Sequence, residues 1–145
     1  MLPYENSTTG DKALGEIQKI LQRFNCQRFG HMTDWEQGHV LVQFAWNGRN
    51  ISMPVSYRGY ATAWLREHPY SYRMRSTEKE HQAKALEIAK VAVYSMLRDW
   101  IKAQITMVET GLLSFDEVWM PHIMLPNGQR VIETVKQTLL LEEKP

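Results

Sequence analysis

The sequence contains a single cysteine, Cys26, so no disulfide can form within the 145-residue chain. Such sparing use of cysteine is typical of proteins that fold in a reducing compartment. The chain also lacks an apolar run of the roughly 18 residues that a membrane-spanning helix needs. Its first residues, MLPYENSTTGDK, lack the apolar core of a signal peptide. We therefore predict a cytoplasmic protein with no membrane association.

A strong excess of one charge is missing as well. Seventeen lysines and arginines nearly balance sixteen acidic residues, for a formal net charge of +1. This balance argues against a general polyanion binder, whose basic charge would dominate the whole chain. The charge is nevertheless uneven, because residues 57–75 contain four arginines and a single acid, Glu67. The sequence is therefore still compatible with a localised anion-binding surface.

The motifs of the common enzyme classes are absent too. There is no phosphate-binding loop, no glycine-rich dinucleotide fingerprint and no nucleophile elbow. Ser76 and Lys79 match the serine–lysine spacing of some acyl enzymes, but a helix cap explains the same residues. Four potential metal ligands, His31, Asp34, Glu36 and His39, lie within nine residues but lack the spacing of a zinc motif. We predict a protein that is not an enzyme and has no catalytic residue, metal or cofactor.

Two helices dominate the helical pattern. Apolar residues spaced by three and four between Leu14 and Phe24 predict an N-terminal helix. A much longer helix is expected over about residues 77–110, because Thr77 and Glu80 form a capping box at its start. Residues 77–110 contain neither glycine nor proline, and Gly111 provides the stop. Its apolar residues cover more than one face. They could therefore pack on a sheet and also form a homo-oligomer with a second copy.

Between these helices the sequence predicts a β-hairpin over residues 39–55. His39–Trp46 alternates apolar and polar positions, and Asn47-Gly48 is the preferred dipeptide of a tight hairpin turn. A further strand is expected at 27–32. After the long helix we expect a short helical turn at 114–119, a short strand at 122–125, a turn at 126–129, a final helix from Val131 and a frayed tail, 141–145.

These elements predict the α+β class. Residues 1–145 are expected to form a single domain, in which a small antiparallel sheet packs on the long helix. Residues 57–75 are expected to be an insertion with at most one helical turn, at 61–66. A connection of this length within a small domain is uncommon and often functional.

The composition of this insertion, hereafter the aromatic–arginine segment (residues 57–75), suggests a binding surface. Arginines and aromatic rings together can contact phosphates, planar bases or the side chains of a partner. An ordinary loop folded over the sheet, with half-buried tyrosines and solvated arginines, fits the same pattern. The predicted binding residues are Tyr57, Arg58, Tyr60, Trp64, Arg66, Tyr70, Tyr72, Arg73 and Arg75.

The C-terminal half carries a longer pattern, MLRDWIKAQITMVETGLLSFDEVWMPHIMLPNGQRVIE, from Met96 to Glu133. The end of the long helix, the run Phe115-Asp116-Glu117 and the turn His122–Gly128 resemble a family of small uncharacterised proteins encoded by phages and prophages. Weaker likeness extends to the first helix and the hairpin. The resemblance implies a phage protein acting in the host cytoplasm, with no catalytic residue to carry over. The aromatic–arginine segment departs from the relatives, which have a variable polar insertion there.

Three functions fit these observations. The leading hypothesis is a non-catalytic phage accessory protein, an anti-defence inhibitor that binds and occludes a host defence or nucleic-acid-processing complex. It would use the aromatic–arginine segment and the outer face of the long helix. The alternatives are a single-stranded nucleic-acid-binding protein, with rings stacked on bases, and an oligomeric sponge that holds a nucleotide signal with its arginines.

Overall fold

Residues 1–143, which the computed structural model describes, form five α-helices and one three-stranded antiparallel sheet, confirming the α+β class. In chain order the elements are α1 (Gly10–Arg23), β1 (Arg28–Asp34), β2 (His39–Trp46), β3 (Arg49–Ser56), α2 (Tyr57–Glu67), α3 (Glu78–Glu109), α4 (Phe115–Trp119) and α5 (Val131–Glu143). A 3₁₀ turn, Met120–His122, follows α4.

The sheet has the order β1-β2-β3, and its register confirms the predicted hairpin. Val42 at the centre of β2 pairs with His31 of β1 and with Met53 of β3. The turn between β2 and β3 needs two consecutive residues with positive φ, and Asn47 (51°) and Gly48 (80°) provide them. Val40, Val42 and Phe44 alternate along β2 and are fully or almost fully buried.

The long helix α3 begins and ends where its capping residues predict. The hydroxyl of Thr77 accepts a hydrogen bond from the Glu80 N–H (3.1 Å), and the Glu80 carboxylate accepts one from the Thr77 N–H (3.3 Å). Gly111, at φ 76°, lies just beyond the C-terminal end. Thirty-two residues give a helix of about 48 Å.

Most of the apolar surface of α3 is buried within the chain, because α1, α2 and the sheet all pack against it. Ala85, Ala89 and Ala92 are fully buried, and such small side chains allow neighbouring helices to approach closely. Met96 and Trp100 stay open to solvent on this helix. The broad apolar surface therefore has an explanation within the chain, and the homo-oligomer stays a prediction.

An aromatic cluster joins the hairpin to α4. Trp119 is fully buried and meets Phe44 edge-on, with ring centroids 5.1 Å apart, while Phe115 stacks on Trp46 at 4.4 Å. Ser114 caps α4 through a second capping box, which confirms the predicted helical turn. Arg49 adds a bidentate ion pair from β3 to Asp116 of α4.

Two predicted elements are wrong. The expected strand at 122–125 is instead a 3₁₀ turn followed by isolated bridges from Ile123 to Ile51 and from Met124 to Arg130. The fixed φ of Pro121 suits the start of a helical turn, and this turn includes His122. The aromatic–arginine segment is not an irregular insertion: eleven of its residues form α2, directly after β3. In the predicted frayed tail, 141–143 belong to α5 and 144–145 lie outside the described residues.

Candidate functional site at the α2–α3 connection

Helix α2 divides the aromatic–arginine segment into a buried side and an exposed side. The Ser56 hydroxyl caps the helix by accepting a hydrogen bond from the Gly59 N–H at 3.1 Å. Helical periodicity then places Tyr57, Ala61 and Trp64 on one face, and all three are buried in the core. Tyr57 and Trp64 therefore cannot be part of an exposed binding surface, contrary to the sequence prediction.

Trp64 belongs to a set of stacked rings that fixes the end of α2 against the start of α3. Its ring stacks on His68 with centroids 4.3 Å apart and an interplanar angle of 12°. His81 of α3 lies 5.2 Å from Trp64 and donates from Nε2 to the His68 carbonyl at 2.6 Å. Because His81 is itself buried, this contact anchors the connection between the two helices.

Two of the predicted tyrosines are half-buried and bonded to backbone atoms. The Tyr60 hydroxyl donates to the Pro3 carbonyl at 2.6 Å, and burial is the main cause that raises the pKa of Tyr60. The Tyr70 hydroxyl donates to the Ser76 carbonyl at 3.0 Å. These hydrogen bonds hold the chain's own backbone, so both residues serve chiefly to shape the segment.

Arg58 is exposed but engaged with the turn between β1 and β2. Its guanidinium donates to the Glu36 carbonyl at 3.0 Å. Gly38, at φ 68°, is packed so closely that a Cβ atom there would lie 2.7 Å from the Arg58 Nε. The contact needs a glycine at position 38, and it makes Arg58 a brace for the turn.

The exposed remainder is the loop between α2 and α3, and we call its residues Tyr72–Arg75 the loop surface. Tyr72 is 82% exposed, and the Arg73 guanidinium carbon lies 5.8 Å from the centre of its ring, within the range of a cation–π contact. Arg75 and Met74 are also exposed. Sequence reasoning missed Met74, whose flexible and polarisable side chain suits an adaptable contact surface.

Local hydrogen bonds brace the loop surface. The Met74 N–H donates to the Ser71 carbonyl at 3.0 Å, and the Arg73 N–H donates to the Ser71 hydroxyl at 3.3 Å. The bond from Tyr70 to Ser76 closes the loop on both sides of this turn. A braced loop loses less conformational freedom on binding than an open one does.

The other basic and aromatic groups are spread around the molecule. Arg66 is exposed in the last turn of α2, and within residues 1–143 neither it nor Arg73 or Arg75 forms an ion pair. Trp35, which is 72% exposed, lies near the other end of α2, where Arg58 contacts its backbone. Eleven helical residues separate these ends by about 16 Å, so the exposed rings do not form one continuous platform.

Three potential metal ligands that the sequence did not single out lie close together in the structure. The side chains between His31 and His39 do not converge within the described part of the chain. Instead, the ligating atoms of Glu5, Glu67 and His68 all lie within 4.8 Å of one another. This group lies at the C-terminal end of α2, next to the loop that carries Tyr72.

The chain matches no protein-family model, no curated protein and no solved structure. None of the helices in residues 1–143 is both long and apolar enough to cross a bilayer.

Proposed function

We propose that the protein is a non-catalytic binding protein whose loop surface recognises and occludes a protein partner. The observation that carries this proposal is the composition of a braced, exposed loop: an aromatic ring, a methionine and two arginines that form no ion pair among residues 1–143. Tyrosine, methionine and arginine are enriched in the cores of protein interfaces, where a few such residues supply most of the binding energy.

Tyr72 is the proposed anchor. A tyrosine ring that moves from solvent into a fitted pocket removes a large apolar area from water, and residues of this type often contribute at least about 2 kcal/mol to binding. Arg73 keeps its guanidinium over the ring, where it can pair with an acidic group at the rim of the pocket. The partner we expect therefore presents an apolar pocket bordered by carboxylates.

The phage setting explains how such a surface could act. An inhibitor that occludes its target needs only a surface that fits, and the resemblance of residues 96–133 supplies the phage context. We propose that the partner belongs to a host defence or nucleic-acid-processing complex. The scaffold of α3 and the hairpin would then hold a loop surface that differs between relatives.

The two nucleotide-based alternatives have less support. A stacking surface for single-stranded nucleic acid uses several rings along a basic groove. Here Tyr57 and Trp64 are in the core, and Trp35 lies at the opposite end of α2 from Tyr72. A nucleotide sponge needs arginines and a ring that converge on one pocket, whereas Arg73 and Tyr72 lie on an exposed loop.

Affinity capture with matched variants tests the proposal. The wild-type protein, bound to resin through its C-terminus, is incubated with nuclease-treated bacterial lysate, and the recovered proteins are quantified by mass spectrometry. The test variant combines Tyr72→Ala, Arg73→Ala and Arg75→Ala. The control variant combines Trp35→Ala, Arg23→Ala and Arg28→Ala, which removes the same kinds of side chain elsewhere on the surface.

We expect the wild type and the control variant to recover one protein in a stoichiometric amount, and the test variant to recover at least about tenfold less. Circular dichroism checks that both variants fold. Equal recovery by the test and control variants would contradict the assignment of the loop surface. A parallel capture from untreated lysate completes the test, because a protein recovered from untreated lysate but not from nuclease-treated lysate would indicate nucleic acid as the ligand.

A further inference from the structure

Three side chains with metal-binding atoms meet at the C-terminal end of α2. Glu67 is the last residue of α2 and His68 follows it. Glu5 comes from the segment that precedes α1, separated from them in sequence by α1 and the whole sheet. The Nε2 atom of His68 lies 3.4 Å from a carboxylate oxygen of Glu5. All three ligating atoms lie within 4.8 Å of one another.

The His68 ring is oriented as in a metal site. Its Nδ1 atom lies 3.1 Å from the Trp64 carbonyl, which can only accept a hydrogen bond, so Nδ1 carries the proton. In the neutral ring, Nε2 therefore keeps a lone pair, and this atom faces Glu5. Stacking on Trp64 holds the ring plane. Histidine ligands in proteins commonly donate their second N–H to a carbonyl in this way.

Glu5 is prepared in a similar manner. Its side chain is only 10% exposed, and one carboxylate oxygen accepts a hydrogen bond from the Leu2 N–H at 3.1 Å. The second oxygen is the one that faces His68. A carboxylate that is held by one oxygen and open at the other is also typical of metal ligands.

The surrounding charge favours a cation. The carbonyl end of α2 adds partial negative charge to the two carboxylates. Burial, followed by the charges of Glu5 and Glu67, raises the pKa of the neighbouring Tyr60. The terminal amine of Met1 lies 3.3 Å from Glu67 and offsets part of this negative charge.

We propose that Glu5, Glu67 and His68 form a binding site for a divalent transition metal, best suited to Zn²⁺. One imidazole and two carboxylates are ligands that Zn²⁺ accepts, with water in the fourth position. Tetrahedral ligands about 2.1 Å from the metal lie roughly 3.4 Å apart, the separation already present between Glu5 and His68. The more exposed Glu67 can rotate to complete the set. The bound metal would fasten the N-terminal segment to α2.

Isothermal titration of the full chain with ZnCl₂ tests this site. The protein is prepared without a polyhistidine tag and dialysed against a chelator, which is then removed. The ligand variants are Glu5→Gln and His68→Gln, each close in shape to the residue that it replaces. The matched control combines His31→Gln and Glu36→Gln, two potential ligands that the fold leaves apart.

We expect one Zn²⁺ per chain for the wild type and the control, and at least about a tenfold weaker affinity for each ligand variant. Zn²⁺ should also raise the thermal midpoint of the wild type but not that of the Glu5→Gln variant. If His68→Gln does not fold, Glu5→Gln decides the outcome. Binding weaker than about 1 mM for the wild type, or equal affinity in the ligand variants and the control, would overturn the proposal.

Discussion

Replacing two aromatic residues of the same segment by alanine should lower stability strongly in one case and hardly at all in the other. Trp64 is 4% exposed and stacks on His68, whereas Tyr72 is 82% exposed on the loop surface. Replacing a buried tryptophan by alanine typically lowers the free energy of unfolding by about 3–5 kcal/mol, because apolar burial is lost and a cavity is left behind. Removing an exposed tyrosine usually changes stability by about 0.5 kcal/mol or less. The contact with Arg73 adds at most about 1 kcal/mol.

The free energy of unfolding of Trp64→Ala should therefore fall by about 3–5 kcal/mol, a large part of the roughly 5–15 kcal/mol typical of such a domain. Urea unfolding followed by far-UV circular dichroism is the suitable assay, because replacing a tryptophan changes the fluorescence directly. Trp35→Ala is the matched control, since this tryptophan is 72% exposed, and we expect a change of about 0.5 kcal/mol or less.

A loss below about 1 kcal/mol for Trp64→Ala would refute the division of α2 into buried and exposed sides. So would a loss for Tyr72→Ala as large as that for Trp64→Ala. Either result would mean that α2 turns a different set of side chains toward the core from the one described. The predicted surface would then have to include Tyr57 and Trp64 again.

Three further changes test the capping, the ion pair and the thiol. Thr77→Ala should lower the free energy of unfolding by about 1 kcal/mol in urea titrations, because it removes half of the capping box; an unchanged midpoint would contradict this. Arg49 lowers the pKa of Asp116 below its ordinary value of 3.8, so the resulting stability is present above that value and is lost as the pH falls through the lowered one. Asp116→Asn should therefore lose less stability than the wild type between about pH 6 and about pH 3, and equal losses would argue against the ion pair. Burial raises the pKa of Cys26 to about 11, so alkylation by iodoacetamide near neutral pH should be slow in the folded protein and faster in urea. Equal alkylation rates would indicate an accessible thiolate.

The elements that the sequence predicts well depend on short-range chemistry. Asn47 and Gly48 both tolerate positive φ, so the dipeptide determines the hairpin turn without help from the rest of the chain. Thr77 and Glu80 cap each other across three residues in the same way. Such local constraints act at fixed spacings, and they can be recognised in the sequence alone.

The aromatic–arginine segment shows where local reasoning fails. Gly59 weakens the helical pattern, and tyrosines favour strands, yet packing of Trp64 against His81 of α3 stabilises α2. The spacing of Tyr57, Ala61 and Trp64 by four and three was the available signal for a buried helical face. Interpreting the segment by composition alone concealed that periodicity.

The cluster of Glu5, Glu67 and His68 could not be predicted from the sequence at all. Glu5 and His68 meet because the N-terminal segment runs along α2: the Pro3 carbonyl accepts a hydrogen bond from the Tyr60 hydroxyl, and Glu5 lies beside His68 just beyond the C-terminal end of the helix. No spacing rule connects residues on either side of a helix and a sheet. Only tertiary packing brings these ligands together.

Site-specific photo-crosslinking provides a decisive test of the loop surface. A benzophenone amino acid replaces Tyr72 in one sample and Trp35 in another, and both proteins are irradiated in nuclease-treated bacterial lysate. We predict a crosslink to one partner protein from position 72 and none to that partner from position 35. A crosslink to the partner from position 35 alone, or from neither position while capture of the partner persists, would place the interface elsewhere.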